Sequence, residues 1–324
     1  MLKVDHDTAI ATARSCQRTL SMASKGQGVI RDCPVRLRPK DRVHTPNEGR
    51  DAMPASTVIT VAQLSRLIGV PNGPAVVDVR IDEDYSVDPR LVPGSVRRDY
   101  RAIASWAAAY RGRVVVVVCQ RGQKLSEGTA AWLRHEGIDA QTLEGGFEAW
   151  KTAGEILVRT DKVPRRDDQG RTVWVTRSRP KVDRVACPWL LRRFVDPNAV
   201  FLFVLPAEVT AVAERFNATP FDIDGVFWSH RGPLCTFDTM IDEFGLKSGP
   251  LARLATIVRG ADTARLDLAP QAAGLLAASL GYSRMYRDDL EQLEATLGFY
   301  DAMYRWCRDA TEETHNWPTH KPGA

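Results

Sequence analysis

Val114-Val115-Val116-Val117-Val118 constrains this chain more than any other stretch. Five β-branched residues without alternation predict a strand buried on both faces. Such a strand belongs at the centre of a parallel sheet, between helical layers. The run ends at Cys119 and passes into the polar loop Gln120-Arg121-Gly122-Gln123-Lys124, after which Leu125 to Arg134 has helical spacing. A cysteine at the carboxyl end of a buried strand, where a helix begins, stands where open α/β sheets bind ligands. Loop amides and the helix dipole favour a thiolate there. Arg121 and Lys124 add positive charge. We read Cys119 as a nucleophile, and the alternative is a buried, inert thiol.

Three further stretches follow a pattern around this loop. They are Val76-Val77-Asp78-Val79-Arg80, Val92-Pro93-Gly94-Ser95-Val96 and Leu143-Glu144-Gly145-Gly146-Phe147-Glu148-Ala149-Trp150. With the cysteine loop they resemble, in family order, the rhodanese sulfurtransferase domain, over residues 57 to 160. The resemblance implies a parallel sheet flanked by helices. It also implies a reaction in which Cys119 carries sulfane sulfur as a persulfide, from thiosulfate or a persulfide donor to a thiol or cyanide. Gln120, Arg121, Gly122, Gln123 and Lys124 would form the substrate-binding loop, and the reaction needs no cofactor. The family's usual loop is Cys-x-x-Gly-x-Arg followed by Ser or Thr. Here Lys124 stands at the Arg position, Leu125 at the hydroxyl position, and Ser126 one place late. Lysine is a point charge without arginine's bidentate fork, which bears on thiosulfate as donor.

The chain has 324 residues, enough for two domains, and its hydrophobic content of 44% can fill real cores. Residues 1–54 show neither helical nor strand period and are expected to be disordered, with Met53 a candidate start. Residues 55–160 are the rhodanese-like domain, and 161–171, rich in Lys162, Arg165, Arg166, Asp167 and Asp168, a linker. Residues 172–310 form a second domain and 311–324 a tail. A net charge of +4 over this length does not argue for nucleic acid, and with no helix-turn-helix signal nucleic acid is not an expected partner. Six scattered cysteines without a Cys-x-x-Cys pair suggest free thiols in the cytoplasm. No run of about 18 apolar residues predicts a membrane helix.

The second domain reads as mainly helical α+β. Val173 to Arg177 is expected to be a strand. Pro188 suits a first helical position, which makes Cys187 the expected N-cap. Phe221 to Trp228 reads as extended. Leu290, Leu293, Leu297, Tyr300, Tyr304 and Cys307 fall on one helix face, either core or a homodimer surface. Trp174-Val175-Thr176-Arg177, Pro180-Lys181-Val182-Asp183-Arg184, Cys187-Pro188-Trp189-Leu190, Phe201-Leu202-Phe203-Val204, Cys235-Thr236-Phe237-Asp238 and Tyr300-Asp301-Ala302-Met303-Tyr304 resemble the carboxy-terminal domain of ChrB-type chromate-resistance proteins. That resemblance implies a role in chromate resistance. The leading reading is a sulfurtransferase linked to it, and the alternative is a chromate-sensing, oxyanion-binding regulator.

Two further sets of residues suggest chemistry. Arg177, Lys181 and Arg184 approach Cys187, and guanidinium forks at a helix start are what tetrahedral dianions such as chromate bind. The alternative is a structural strip paired with Asp183 and Asp222. His230 and Cys235 are five apart in a turn-like segment, and Asp238 and Asp262 would complete a set suited to zinc or iron. Packed or hydrogen-bonded side chains are the alternative there.

Overall fold

The valine run forms the centre of a five-stranded, all-parallel sheet in the computed structural model, which describes residues 57–313. The expectations for residues 1–54 and for the end of the tail lie outside the described residues. In chain order the strands are β1 (Val58–Ile59), β2 (Ala75–Asp78), β3 (Ser95–Arg97), β4 (Val115–Val118) and β5 (Ala140–Leu143). Across the sheet they run β1-β5-β4-β2-β3. The strand starts one valine later than expected, because Val114 is 43% exposed and only lends its carbonyl to the Ala75 amide.

Successive side chains of a strand point to opposite faces, so the valines feed two cores. Val115 and Val117 pack with Ile103, Trp106, Tyr110, Ala130 and Leu133. Val116 and Val118 join Leu64, Phe147 and Trp150 in a cluster that continues into Trp189, Leu190, Phe194 and Tyr304. The flanking helices are α1 (Val61–Leu67), α2 (Asp82–Val87), α3 (Ile103–Trp106), α4 (Lys124–His135) and α5 (Gly146–Thr152). Thr60 and Gln63 close a capping box at the start of α1. Helix α3 is short, with 3-10 turns on both sides of it.

The second half builds a smaller parallel sheet from β6 (Val173–Arg177), β7 (Val200–Val204) and β8 (Thr219–Pro220), in the order β7-β6-β8. Its crossovers carry α6 (Asp183–Leu190) and α7 (Val209–Phe216). Then follow α8 (Thr236–Glu243), α9 (Gly249–Asp262), α10 (Ala272–Met285) and α11 (Asp289–Asp309). The stretch 221–228, expected extended, is instead a turn. Asp222 at φ 52° and Gly225 at φ 77° reverse the chain, and the Asp222 amide bonds to the Trp228 carbonyl at 2.9 Å. The apolar stripe of α11 is core: Leu293, Leu297, Tyr300, Tyr304 and Cys307 are buried, and only Leu290 faces out.

One continuous apolar cluster spans both halves. The Gly94 amide donates to the Phe194 carbonyl at 2.6 Å, and Leu91 bridges Val158. Gly69 leaves room for the Phe194 ring, since a Cβ there would collide with it. The charged segment 161–171 is tied down as well. Arg166 reaches the buried Asp196 at 2.9 Å, and Asp196 also accepts from the Thr172 amide and hydroxyl at 2.7 and 2.8 Å.

Candidate functional site

Cys119 follows directly on β4 and is 5% exposed. Its carbonyl accepts from the Phe147 amide at 3.0 Å, and the Gln120 carbonyl accepts from the Glu148 amide at 3.1 Å. The first turn of α5 thus pins the start of the loop. Gly122 takes φ 67°, and a Cβ there would lie 2.5 Å from the Leu143 carbonyl oxygen. A Cβ on Gly146, itself at φ 61°, would collide with the Cys119 carbonyl and the Gly122 amide. The paired glycines of the sequence therefore serve close approach of two backbones. Gln123 precedes α4 without a side-chain cap, so the first amides of a twelve-residue helix remain available at the loop.

Ser126 corrects the expectation drawn from the displaced hydroxyl. It is fully buried, and its Oγ lies 3.2 Å from Cys119 Sγ and 3.0 Å from the Gln123 carbonyl oxygen. The first turn of α4 rotates this late serine onto the sulfur, while Leu125 is half-buried at the rim. A cavity of about 530 Å³ opens over the thiol, lined by Cys119, Gln120, Arg121, Gln123, Lys124 and Glu148 among others. Arg121 and Lys124 are exposed on it. Gln120 Nε2 donates to Glu148 Oε1 at 2.6 Å.

The second constellation differs from the expected one. Helix α6 starts at Asp183, not after Cys187, so Pro188 lies inside it and Cys187 is a buried helical residue. The rule placing Pro at the first helical position loses here to the burial of Val185, Ala186 and Cys187. Proline breaks the regular ladder, and the helix continues as a wider π turn over Leu191–Val195. Burial pushes the Cys187 thiol well up, and the charges of Asp183 and Asp222 add to this. Val182, at φ 36°, is an unusual conformation for a β-branched residue. It is held by its amide donating to Ser279 Oγ at 2.9 Å and by Tyr300 donating to its carbonyl at 3.0 Å.

Arg177 and Arg184 are brought together, each 3.3 Å from Asp222 Oδ2, while Lys181 is exposed. Among the expected metal residues, His230 and Asp262 meet at 3.2 Å. Cys235 and Asp238 turn to each other instead. The Cys235 thiol and amide both approach Asp238 Oδ2, at 3.2 and 3.1 Å, and Asp238 Oδ1 pairs with Arg259 at 2.8 Å. Burial, then the charges of Asp183 and Asp238, pushes the Cys235 thiol up. In their place stand Asp183 and Asp222, with Oδ2 of Asp183 at 3.6 Å and Oδ1 of Asp222 at 3.4 Å from His230 Nε2. Burial raises the Asp183 carboxyl, and Asp262 and Asp222 raise it further. For Asp222 burial is outweighed by bonds from His230 and Thr236 and by the arginines, leaving it below the usual range. The Asp222 carboxylate, opposed by partial burial and helped by Asp183 and Asp262, raises His230 to about 9. Asp183 and Asp222 lie on a helix start and a turn, 39 residues apart, and no local spacing signals their meeting.

Family models match the chain as a "Rhodanese-like domain" over residues 60–153 and as "ChrB, C-terminal domain" over 174–307. Protein ChrB of Cupriavidus metallidurans is 36% identical over 146 residues, covering 44% of this chain and 43% of that protein. The chain thus spans less than half the length of that relative. Thiosulfate sulfurtransferase GlpE of Pseudomonas paraeruginosa is 35% identical over 83 residues, covering 25% of this chain and 73% of that enzyme. A solved rhodanese-like domain protein from Staphylococcus aureus shares 26% identity, covers 29% of this chain and 90% of its own, and superposes with a TM-score of 0.27. No helix among the described residues is long and apolar enough to cross a membrane. The chain belongs to the rhodanese-like family through residues 60–153 and carries a ChrB C-terminal domain over 174–307.

Proposed function

We propose that this protein is a sulfurtransferase that passes sulfane sulfur through a persulfide on Cys119, in the service of chromate resistance. The observation that carries the reading is the placement of Cys119 in the lining of the cavity, beside the loop and the uncapped start of α4. In the first step the Cys119 thiolate attacks the outer sulfur of thiosulfate. A new S–S bond forms, the donor's own S–S bond breaks, and sulfite leaves with its electron pair. In the second step cyanide or an acceptor thiolate attacks the persulfide's outer sulfur, and Cys119 leaves as thiolate. The loop amides of residues 120–124 and the charges of Arg121 and Lys124 hold the anionic end of the donor. No cofactor takes part. Four cysteines among the described residues are free thiols, in keeping with work in the cytoplasm. The regulator alternative relies on arginines free for an oxyanion, whereas Arg177 and Arg184 are committed to Asp222.

Thiocyanate release from thiosulfate and cyanide tests this directly, together with mass spectrometry of the thiosulfate-treated protein. The reading expects one added sulfur atom on Cys119. Neither turnover nor added sulfur, with thiosulfate or with glutathione persulfide as donor, would overturn it.

Two substitutions refine the picture. Lys124→Arg restores a bidentate fork toward the donor's oxyanion, so the KM for thiosulfate should fall several-fold with kcat little changed. Equal KM values would remove Lys124 from the donor's path. Ser126→Ala deletes the hydroxyl beside the sulfur. A hydrogen bond worth about 0.5–1.5 kcal/mol corresponds to roughly a 2- to 13-fold loss of kcat/KM. Unchanged kinetics would show that Ser126 serves packing alone.

A further inference from the structure

We propose that Asp183, His230 and Asp262 form a binding site for a divalent first-row metal ion, with Asp222 flanking it. The site lies in the ChrB-like half and is separate from the sulfur chemistry of Cys119.

The first argument is the geometry at His230. Its Nε2 lies 3.6 Å from Asp183 Oδ2, 3.4 Å from Asp222 Oδ1 and 3.2 Å from Asp262 Oδ2. Charge-assisted hydrogen bonds are shorter, at about 2.7–2.9 Å. A single N–H cannot point at three carboxylates at once, but a cation between them can face all of them. Ligand atoms bound at about 2.0–2.2 Å lie roughly 2.8–3.6 Å from one another. Asp183, His230 and Asp262 each offer one ligand atom, and these lie within 4.8 Å of one another.

The second argument is Asp183 itself. The residue is 0% exposed, and its Oδ1 has no hydrogen-bond partner. An uncompensated buried carboxylate is costly. Asp222 has Arg177 and Arg184 beside it. Asp183 and Asp262 have only His230 as ion-pair partner among the described residues. A dication that displaces the His230 Nε2 proton to solvent leaves two carboxylates and a neutral imidazole around it, a site of zero net charge.

The supporting bonds already orient the ligands, as outer partners do in metal sites. The Thr236 amide donates to Asp183 Oδ2 at 2.6 Å, its hydroxyl to Asp222 Oδ1 at 3.0 Å, and the Asp183 amide to Asp262 Oδ1 at 3.4 Å. The three ligands come from the start of α6, the loop before α8 and the end of α9. Oxygen and imidazole donors suit manganese, iron(II) or zinc. This set differs from the one the sequence suggested, because the thiol of Cys235 is engaged with Asp238. The His230 side chain is 40% exposed, so the remaining coordination positions open to solvent.

The test uses the full chain, stripped with a chelator and titrated with manganese chloride and zinc chloride by calorimetry, with manganese binding also followed by electron paramagnetic resonance. One equivalent should bind. His230→Gln and Asp262→Asn should each weaken binding by roughly 10- to 100-fold or more, and Cys235→Ser should leave it within about twofold. Should Asp262→Asn fail to fold, His230→Gln at a half-exposed position still decides. No binding of either ion by the wild-type chain, undiminished binding by His230→Gln, or loss of binding in Cys235→Ser with His230→Gln intact would each overturn the proposal.

Discussion

Replacing Cys119 by Ser should reduce sulfur transfer from thiosulfate to cyanide to background. A hydroxyl is a far weaker nucleophile than a thiolate near neutral pH and cannot carry a transferable sulfane sulfur, so both steps fail together. The fold should be untouched. Cys119 is 5% exposed, serine is slightly smaller, and an Oγ there can still bond Ser126 or the Gln123 carbonyl. Thermal melting should therefore match the wild type while mass spectrometry finds no added sulfur on the loop. Turnover clearly above background in the purified variant would move the chemistry away from Cys119.

Phe194→Ala should lower stability by about 3–5 kcal/mol, the usual cost of emptying a large aromatic from a core. Phe194 is 0% exposed and packs against Trp189 and Tyr304, with ring centroids 5.7 and 5.5 Å away. It also fills the space that Gly69 leaves in the rhodanese-like half. The loss should therefore appear in one cooperative transition in urea, reported alike by backbone circular dichroism and tryptophan fluorescence. A cost below about 1 kcal/mol, or two separated transitions with only the later half shifted, would show that the halves do not depend on one core.

Much of the first half was legible because its signals are local. A run of valines, a paired glycine and a cysteine next to a loop each act within a few residues. What local rules missed was decided by packing. Pro188 follows its positional preference in isolation, but the apolar run Val185-Ala186-Cys187 draws the helix start back to Asp183. Ser126 reads as displaced by one position on a linear motif, yet the first turn of α4 restores its hydroxyl to the sulfur. The acidic cluster was legible only in part. His230 and Asp262 stood out as ligand types, but Asp183 and Asp222 reach them through the long-range packing of α6, the 221–228 turn and α9. Cys235, chemically the more eye-catching residue, is taken by a partner three positions away.

The meshed backbones of Gly122 and Gly146 have a consequence for how the loop selects what it takes. A flexible anion-binding loop must be frozen around each guest, and that lost freedom is subtracted from affinity. Here the two backbone segments already touch at positions where a single methyl group would not fit. The mould is set before any donor arrives, so the entropy of ordering was spent during folding. A rigid mould does not adapt to guests of different shape. For the sulfur transfer proposed above, discrimination among donors would therefore fall to the rim, to the reach of Arg121 and Lys124 and to the width left between Asp84, Val87 and Leu125.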